Sequence, residues 1–167
     1  MTNKRSSPVC YAEEASDVYM GYADRDEVLG ALNELLEAER AGTRVASSSR
    51  REATLTGYAA LMQDVGQDEA HWCAMLTRQI QRLDGSPSHN TGAFFEKAMV
   101  ISDPLERLVF LNRGQAWVVR KLEKLLPRIR DDALHADLKS MAEKHRVNIN
   151  LAEAFLQKNQ AVPPTKD

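Results

Sequence analysis

The sequence has few of the features that mark secreted or membrane proteins. Its only two cysteines, Cys10 and Cys73, are far apart and form no CxxC motif, so a disulfide framework is not expected. No apolar run approaches the roughly 20 residues that a membrane-spanning helix needs. The first residues also lack the apolar core that is typical of a signal peptide. We therefore expect a cytoplasmic protein with no membrane partner.

The chain also lacks an excess of charge of one sign. Its 22 basic and 24 acidic residues are interleaved and give a formal net charge of −2. No basic stripe is long enough to hold a phosphate backbone, so nucleic acid is not an expected partner. The length of 167 residues, with 43% hydrophobic residues, is that of one globular domain with one core.

Strand-like alternation is missing, whereas helical periodicity is present in four long segments. The first helix is predicted to begin after Asp24, an N-cap residue. The serines at 47–49 are a weak break, so this helix either ends there or continues through them. The second helix is predicted to start near residues 51–54 and to reach Leu83, with Gly85 as the left-handed residue that ends it.

The second half of the chain predicts one short and two long helices. A short amphipathic helix is expected over residues 93–101. A cap at residue 102 or 103 then starts the third long helix, with Pro104 at its first position, where a missing N–H costs nothing. Pro127 marks a kink or the end of that helix. The fourth long helix is predicted over residues 131–158.

The lengths of the connections predict the topology. Short connections within each half indicate two antiparallel helical hairpins, and the longer one between them indicates a crossover along the bundle. We therefore predict an all-α four-helix bundle over residues 24–158. Residues 1–23 are expected to form a partly docked segment with a short helical turn near 12–20, and residues 159–167 a tail.

Each long helix carries one polar residue near the middle of its apolar stripe. These residues are Glu39, Asp68, Gln115 and His145. An unpaired polar group costs roughly 1–3 kcal/mol to bury, so four such interruptions at similar heights are expected to meet. His71 follows Asp68 by three residues, and one helical turn can therefore direct both side chains toward one ion.

This pattern resembles the ferritin-like, di-iron carboxylate superfamily over residues 24–158. In that superfamily the first helix carries a Glu and the second a Glu-x-x-His motif, and the third and fourth helices repeat this arrangement. Gln115 and Ala142 stand where the repeat has glutamates. The residues that the resemblance implies as metal ligands are Glu39, Asp68, His71 and His145.

The resemblance implies a smaller site than a di-iron centre, because two carboxylates do not neutralise two irons. It implies one divalent ion (Fe, Mn or Zn), with Gln115 as an auxiliary neutral donor and Asn148 as a supporting partner. The expected activity is metal-dependent redox or oxygen chemistry on an unnamed small molecule, without an organic cofactor.

Two other interpretations remain open at this stage. The same polar residues can satisfy one another by hydrogen bonds without a metal. The chain can also be a non-catalytic scaffold or a stress-associated oligomer. We expect a homodimer, with Phe94 and Phe95 as part of its interface.

The sequence also predicts which other side chains point into the core and which lie at the surface. Trp72 competes with His71 for the inward direction, which makes His71 the less secure ligand. Both tryptophans are expected in the core. Acidic residues off the apolar stripes are expected to be surface charges, and these are Glu34, Glu37 and Glu69.

Overall fold

The computed structural model describes residue 16 and residues 18–160, and the described chain is all-α. Within these residues there is no strand, and no helix is both long and apolar enough to cross a membrane. The elements are α1 (Arg25–Arg51), α2 (Tyr58–Arg82), α3 (Phe94–Met99), α4 (Pro104–Leu125), a 3-10 turn (Leu126–Arg128) and α5 (Asp132–Gln160).

The predicted helix starts are confirmed at two caps. The Asp24 side chain accepts a 2.8 Å hydrogen bond from the N–H of Glu27, and Asp103 accepts one of 2.8 Å from Glu106. Pro104 occupies the first position of α4. Each carboxylate satisfies an N–H that has no partner within its helix, and its charge is favourable at that helix end.

The ends of the first hairpin differ from the prediction. α1 continues through the serines to Arg51, which is one of the two alternatives given above, but α2 begins only at Tyr58, later than the predicted start near residues 51–54. After α2 the left-handed residue is Asp84, with φ of 55°, so the assignment of this role to Gly85 was wrong. Gly85 is needed for space instead, because a Cβ there would lie 2.4 Å from Leu29.

Contacts at the helix ends define the chain directions. Arg25, at the start of α1, donates hydrogen bonds to the carbonyl oxygens of Leu83 and Asp84, just after α2 ends. Glu27 pairs with Arg128, just after α4 ends. α1 is therefore antiparallel to both α2 and α4, and those two helices run the same way. The 21 residues between them must return along the bundle.

α1 holds this returning segment through its polar side chains. Asn33 donates to the carbonyl of Ser86 and accepts from the N–H of Ser88 at 2.7 Å. Arg40 donates to the carbonyls of Ser88 and Asn90. Four backbone groups of the segment, which has little helix of its own, thus find partners on α1.

α5 packs against α2 and α4, which closes the ring of four long helices. The core inside this ring consists of two apolar clusters. One contains Leu36 and Leu138, and the other contains Met62 and Leu108. Along every long helix, a polar residue lies between the two clusters.

The chain outside the bundle is described only in part. The N–H of Ala23 bonds to the carbonyl of Arg128 at 2.9 Å, whereas Tyr19 and its neighbours are exposed. Residues 18–21 form a turn, and most of the helical turn predicted near 12–20 lies outside the described residues. α5 extends to Gln160, so it includes the first two residues of the predicted tail, and residues 161–167 also lie outside the described part.

Two leucines of α5 provide a test of this core. Leu138 is fully buried and Leu151 is 51% exposed. We expect Leu138→Ala to lower the free energy of unfolding by about 2–5 kcal/mol, because it leaves a cavity in the core. Leu151→Ala, which leaves none, is the control and should have an effect of less than about 1 kcal/mol. Urea unfolding measures both, and equal effects would contradict the packing described.

Candidate functional site

A buried polar layer separates the two apolar clusters of the bundle. Each long helix contributes one residue to it: Glu39 from α1, Glu69 from α2, Gln115 from α4 and His145 from α5. All four side chains are 3% exposed or less. The predicted burial of Glu39, Gln115 and His145 is thus confirmed, and α2 contributes a residue that was expected at the surface.

His145 and Glu39 form a buried pair at the centre of this layer. Nδ1 of His145 lies 3.0 Å from the carbonyl oxygen of Met141. A carbonyl oxygen only accepts, so Nδ1 carries a hydrogen and donates it. Nε2 therefore faces Glu39, whose Oε1 is 3.1 Å away. The backbone of α5 fixes both the tautomer and the orientation of the imidazole.

The surroundings of His145 act on its pKa in opposite directions. Burial, the largest effect, lowers the pKa by disfavouring the charged ring. The Glu39 carboxylate, through its charge and its hydrogen bond, raises it, as do the Met141 carbonyl and Asp68, and the net result is a raised pKa. The interactions with Glu39 and the Met141 carbonyl thus outweigh burial, and His145 holds a proton more readily than a free histidine.

The buried position of Glu69 changes the pKa of its carboxyl group. Burial raises its pKa well above the ordinary value of 4.5, and the nearby charges of Glu39 and Asp68 raise it further. Its carboxyl group fits beside Gly42 of α1, where a Cβ would lie 1.6 Å from Oε2. Gly42 therefore leaves the space that this side chain occupies.

The layer forms the floor of a pocket of about 560 Å³ between α1 and α4. Three buried oxygen atoms on this floor have no hydrogen-bond donor among the described residues: Oε2 of Glu39, Oε2 of Glu69 and Oε1 of Gln115. Buried acceptors are rarely left without a donor. Their accumulation at the end of one pocket indicates a place for a cation or a hydrogen-bond donor.

The predictions for α2 require correction. His71 is exposed, so its predicted inward direction was wrong, and Trp72 is buried in its place. Asp68 lies at the edge of the bundle, where it accepts a hydrogen bond from Asn148 at 3.0 Å and pairs with Lys144. Asn148 thus supports Asp68 and not His145. Glu69, expected on the surface, was wrongly assigned.

The wrong directions predicted for Asp68 and Glu69 have one cause. Asp68 fits a stripe with Leu61, whereas Glu69 fits one with Met62, and adjacent residues on a helix differ by only about 100°. Both stripes continue through apolar residues, so the periodicity did not separate them. A stripe drawn through Met62 and Leu76, both fully buried, identifies Glu69.

Other expectations also change. Trp117, predicted in the core, is 41% exposed. Phe94 stacks on Phe110 with ring centroids 4.8 Å apart, and Phe95 lies beneath Arg44 at 4.0 Å. Both phenylalanines are therefore partly covered within the chain.

Burial raises the pKa of the half-buried Cys73 to about 11, so this thiol is unreactive at neutral pH.

Metal-binding geometry is not preformed in these side chains. Between residues 18 and 160, no group of three or more His, Cys, Asp or Glu side chains is arranged to hold a metal ion. The Glu39–His145 pair supplies two such side chains at hydrogen-bond distance. A third charged ligand would have to turn toward them.

Two glycines of α1 test the space that Glu69 occupies. A Cβ at Gly42 would overlap the Glu69 carboxyl, whereas one at Gly30 meets nothing within 4 Å. We expect Gly42→Ala to destabilise the protein, because Glu69 must move. Gly30→Ala should stabilise it by about 1 kcal/mol through helix propensity. Thermal unfolding of both variants provides the measurement, and stabilisation by Gly42→Ala would refute this packing.

The raised pKa of Glu69 predicts that the stability of the protein depends on pH. Above pH 4.5 and below its folded pKa, the native state binds more protons than the unfolded state, so stability falls as pH rises. Glu69→Gln removes this loss. We expect the variant to be increasingly more stable than wild type from pH 4.5 to 8, measured by urea unfolding with a chelator present. The exposed Glu153→Gln should show no such trend, and a Glu69→Gln difference that stays constant with pH would contradict the assignment.

Comparison with known proteins identifies the family of the chain. The sequence model of a family described as a domain of unknown function (DUF6306) matches residues 26–154, which include nearly the whole bundle. No curated protein and no solved structure matches the chain. Since the family match extends over most of the sequence, the chain belongs to the DUF6306 family.

Proposed function

We propose that this protein is a ferritin-like bundle that binds one divalent metal ion (Fe, Mn or Zn) in its polar layer. The proposed ligands are Glu39, Glu69 and His145, with Gln115 as a neutral oxygen donor. When bound, Fe or Mn would supply redox or oxygen chemistry to a small molecule in the pocket, whereas Zn, which has no redox chemistry, would act only as a Lewis acid. A cytoplasmic location and a homodimer remain part of this proposal.

The observation that carries the proposal is the set of unpaired acceptors on the pocket floor. Glu39, Glu69 and Gln115 each present a buried oxygen without a donor among the described residues. Nε2 of His145 faces the same floor with its Nδ1 hydrogen already donated to Met141. Imidazole nitrogen with carboxylate and amide oxygen is a donor set that suits Fe, Mn or Zn.

The distances within the Glu39–His145 pair are compatible with one shared ion. Nε2 and Oε1 lie 3.1 Å apart. Two atoms that would each lie about 2.1 Å from one ion would be about 3–3.4 Å apart at octahedral or tetrahedral angles. An ion can therefore replace the hydrogen bond between them without a large movement of either helix. Glu69 is the other acid on the pocket floor and must turn from its place beside Gly42 to reach it.

The arrangement of the helices adds support for the ferritin-like part. Two antiparallel helix pairs joined by a connection along the bundle are typical of that superfamily. In the buried stripe of α2, the positions of Glu-x-x-His are taken by Glu69 and Trp72. Together with Gln115 and Ala142 on the other hairpin, this leaves too few ligands for two irons.

A metal-free scaffold is the second candidate, and one observation favours it. The Glu39–His145 pair is already internally hydrogen-bonded, and among residues 18–160 no three-ligand group is preformed. On this alternative the polar layer would be satisfied by water, and the purified protein would contain no metal.

Metal analysis of protein purified without chelators tests the proposal. We expect about one Fe, Mn or Zn per chain, directly or after anaerobic reconstitution, because four donors meet on one buried floor. Glu39→Gln and His145→Gln should each lose the metal, since either change removes a ligand. Gln115→Glu should bind it more tightly, because it adds a negative charge.

Matched controls separate ligation from folding. His71→Gln and Glu143→Gln change the same residue types at exposed positions and should keep the metal. Circular dichroism must show native helix in the Gln115→Glu variant, which removes no ligand. If neither the wild type nor Gln115→Glu contains metal after reconstitution, the proposal is wrong and the metal-free scaffold is favoured.

A further inference from the structure

The pocket above the polar layer has an apolar wall. Phe94 of α3 lies against Gly114 of α4, where a Cβ would be 2.7 Å from its ring. Its ring also stacks on Phe110. Leu111 and Val118 of α4 continue this wall. A concave apolar site of about 560 Å³ has the size and lining of small-molecule sites in general.

The mouth of the pocket has the opposite character. Arg113, Trp117 and Arg120 are exposed on α4 and also line the pocket. Their spacing of four and three residues places them on one face of the helix. Neither arginine has an acidic partner among the described residues, whereas other basic groups of the bundle do, such as Arg146 with Glu123.

The acidic residues at the mouth have other partners and do not pair with these arginines. Glu34 pairs with Lys121, and Glu37 accepts a hydrogen bond from the hydroxyl of Ser88. Two guanidinium groups beside Trp117 are therefore left for another partner. Guanidinium groups bind carboxylates and related anions through paired N–H groups.

We propose that this pocket binds a small amphipathic monoanion, with its acidic group at Arg113 and Arg120 and its apolar body along Phe94 and Phe110. A carboxylate on an apolar chain or ring is the simplest member of this class, and sulfates share the same chemistry. The inference rests on the proposed function for the claim that this molecule is the substrate, whereas binding needs only the pocket.

This orientation follows from the distribution of charge. The floor carries Glu39 and Glu69, so an anionic head group there would meet acids in a buried site with low dielectric. At the mouth, the same head group meets two cations that are solvated and unpaired. An ammonium group would be attracted by the acids on the floor and repelled by the arginines at the mouth. The amine with the same alkyl chain is therefore the critical comparison.

Calorimetric titration of the full chain with octanoate, octyl sulfate, 1-octanol and octylammonium tests the proposal. Each titration is made with chelator-treated protein and repeated with metal-loaded protein. We expect the two anions to bind at least about tenfold more tightly than the alcohol or the amine, because only they engage both arginines. Comparing octanoate with octyl sulfate identifies the preferred acidic group. Trp117 fluorescence in a Trp72→Phe background should change on binding.

Three variants locate the site. Arg113→Gln combined with Arg120→Gln should weaken octanoate binding about tenfold or more and leave octanol unchanged. Arg78→Gln, at an exposed arginine of α2 outside the pocket, should change neither. Ala38→Phe, which fills space at the pocket wall, should weaken both probes without lowering helix content.

The outcomes distinguish this inference from the proposed function. Octanoate binding that the double arginine variant leaves unchanged would overturn the inference, as would tighter binding of octylammonium. Failure of all four probes to bind would also overturn it, whatever the metal content. Octanoate binding to a protein that takes up no metal would support the ligand class and count against the metal site alone.

Discussion

The long connection between α2 and α4 determines the arrangement of the rest of the molecule. Both helices run in the same direction, so the chain must return along the bundle before α4 begins. Ordering 21 such residues has a large entropic cost, and hydrogen bonds from Asn33, Arg40 and Arg44 of α1 offset part of it. The connection is thereby held in place, α3 contacts α4, and Phe94 becomes the wall of the pocket.

Burial of the polar layer lowers the stability of the bundle. Two glutamates, a glutamine and a histidine are buried where apolar residues would pack well, and burial of charged groups destabilises a fold unless they are fully paired. The hydrogen bonds of His145 with Glu39 and with the Met141 carbonyl compensate part of this cost. Gly42, which costs helix propensity at mid-helix, adds to it by making room for Glu69. Stability is therefore lower here than a continuous core would provide, which is typical of a binding site.

The sequence predicts the helices well and the site only in part, for physical reasons. Asp24 and Asp103 identify helix starts because a cap acts through adjacent residues. Glu39, Gln115 and His145 were identifiable because one unambiguous apolar stripe surrounds each of them. Near residue 68, α2 has two overlapping stripes, and the choice between Asp68 and Glu69 depends on packing against Gly42 of another helix. The contacts of α1 with the crossover use backbone acceptors, which side-chain patterns do not reveal.

The two hairpins contribute opposite charges to the pocket. The first hairpin supplies the buried acids Glu39 and Glu69, and the second supplies His145 on the floor and Arg113 and Arg120 at the mouth. In a symmetric ferritin-like site, both hairpins would supply acids and two cations would be needed to balance them. Here the buried acids come from one hairpin, which would match the single cation that we propose. The arginines at the mouth would bind the anion that we propose, so the metal ion and the acidic molecule would occupy opposite ends of one pocket.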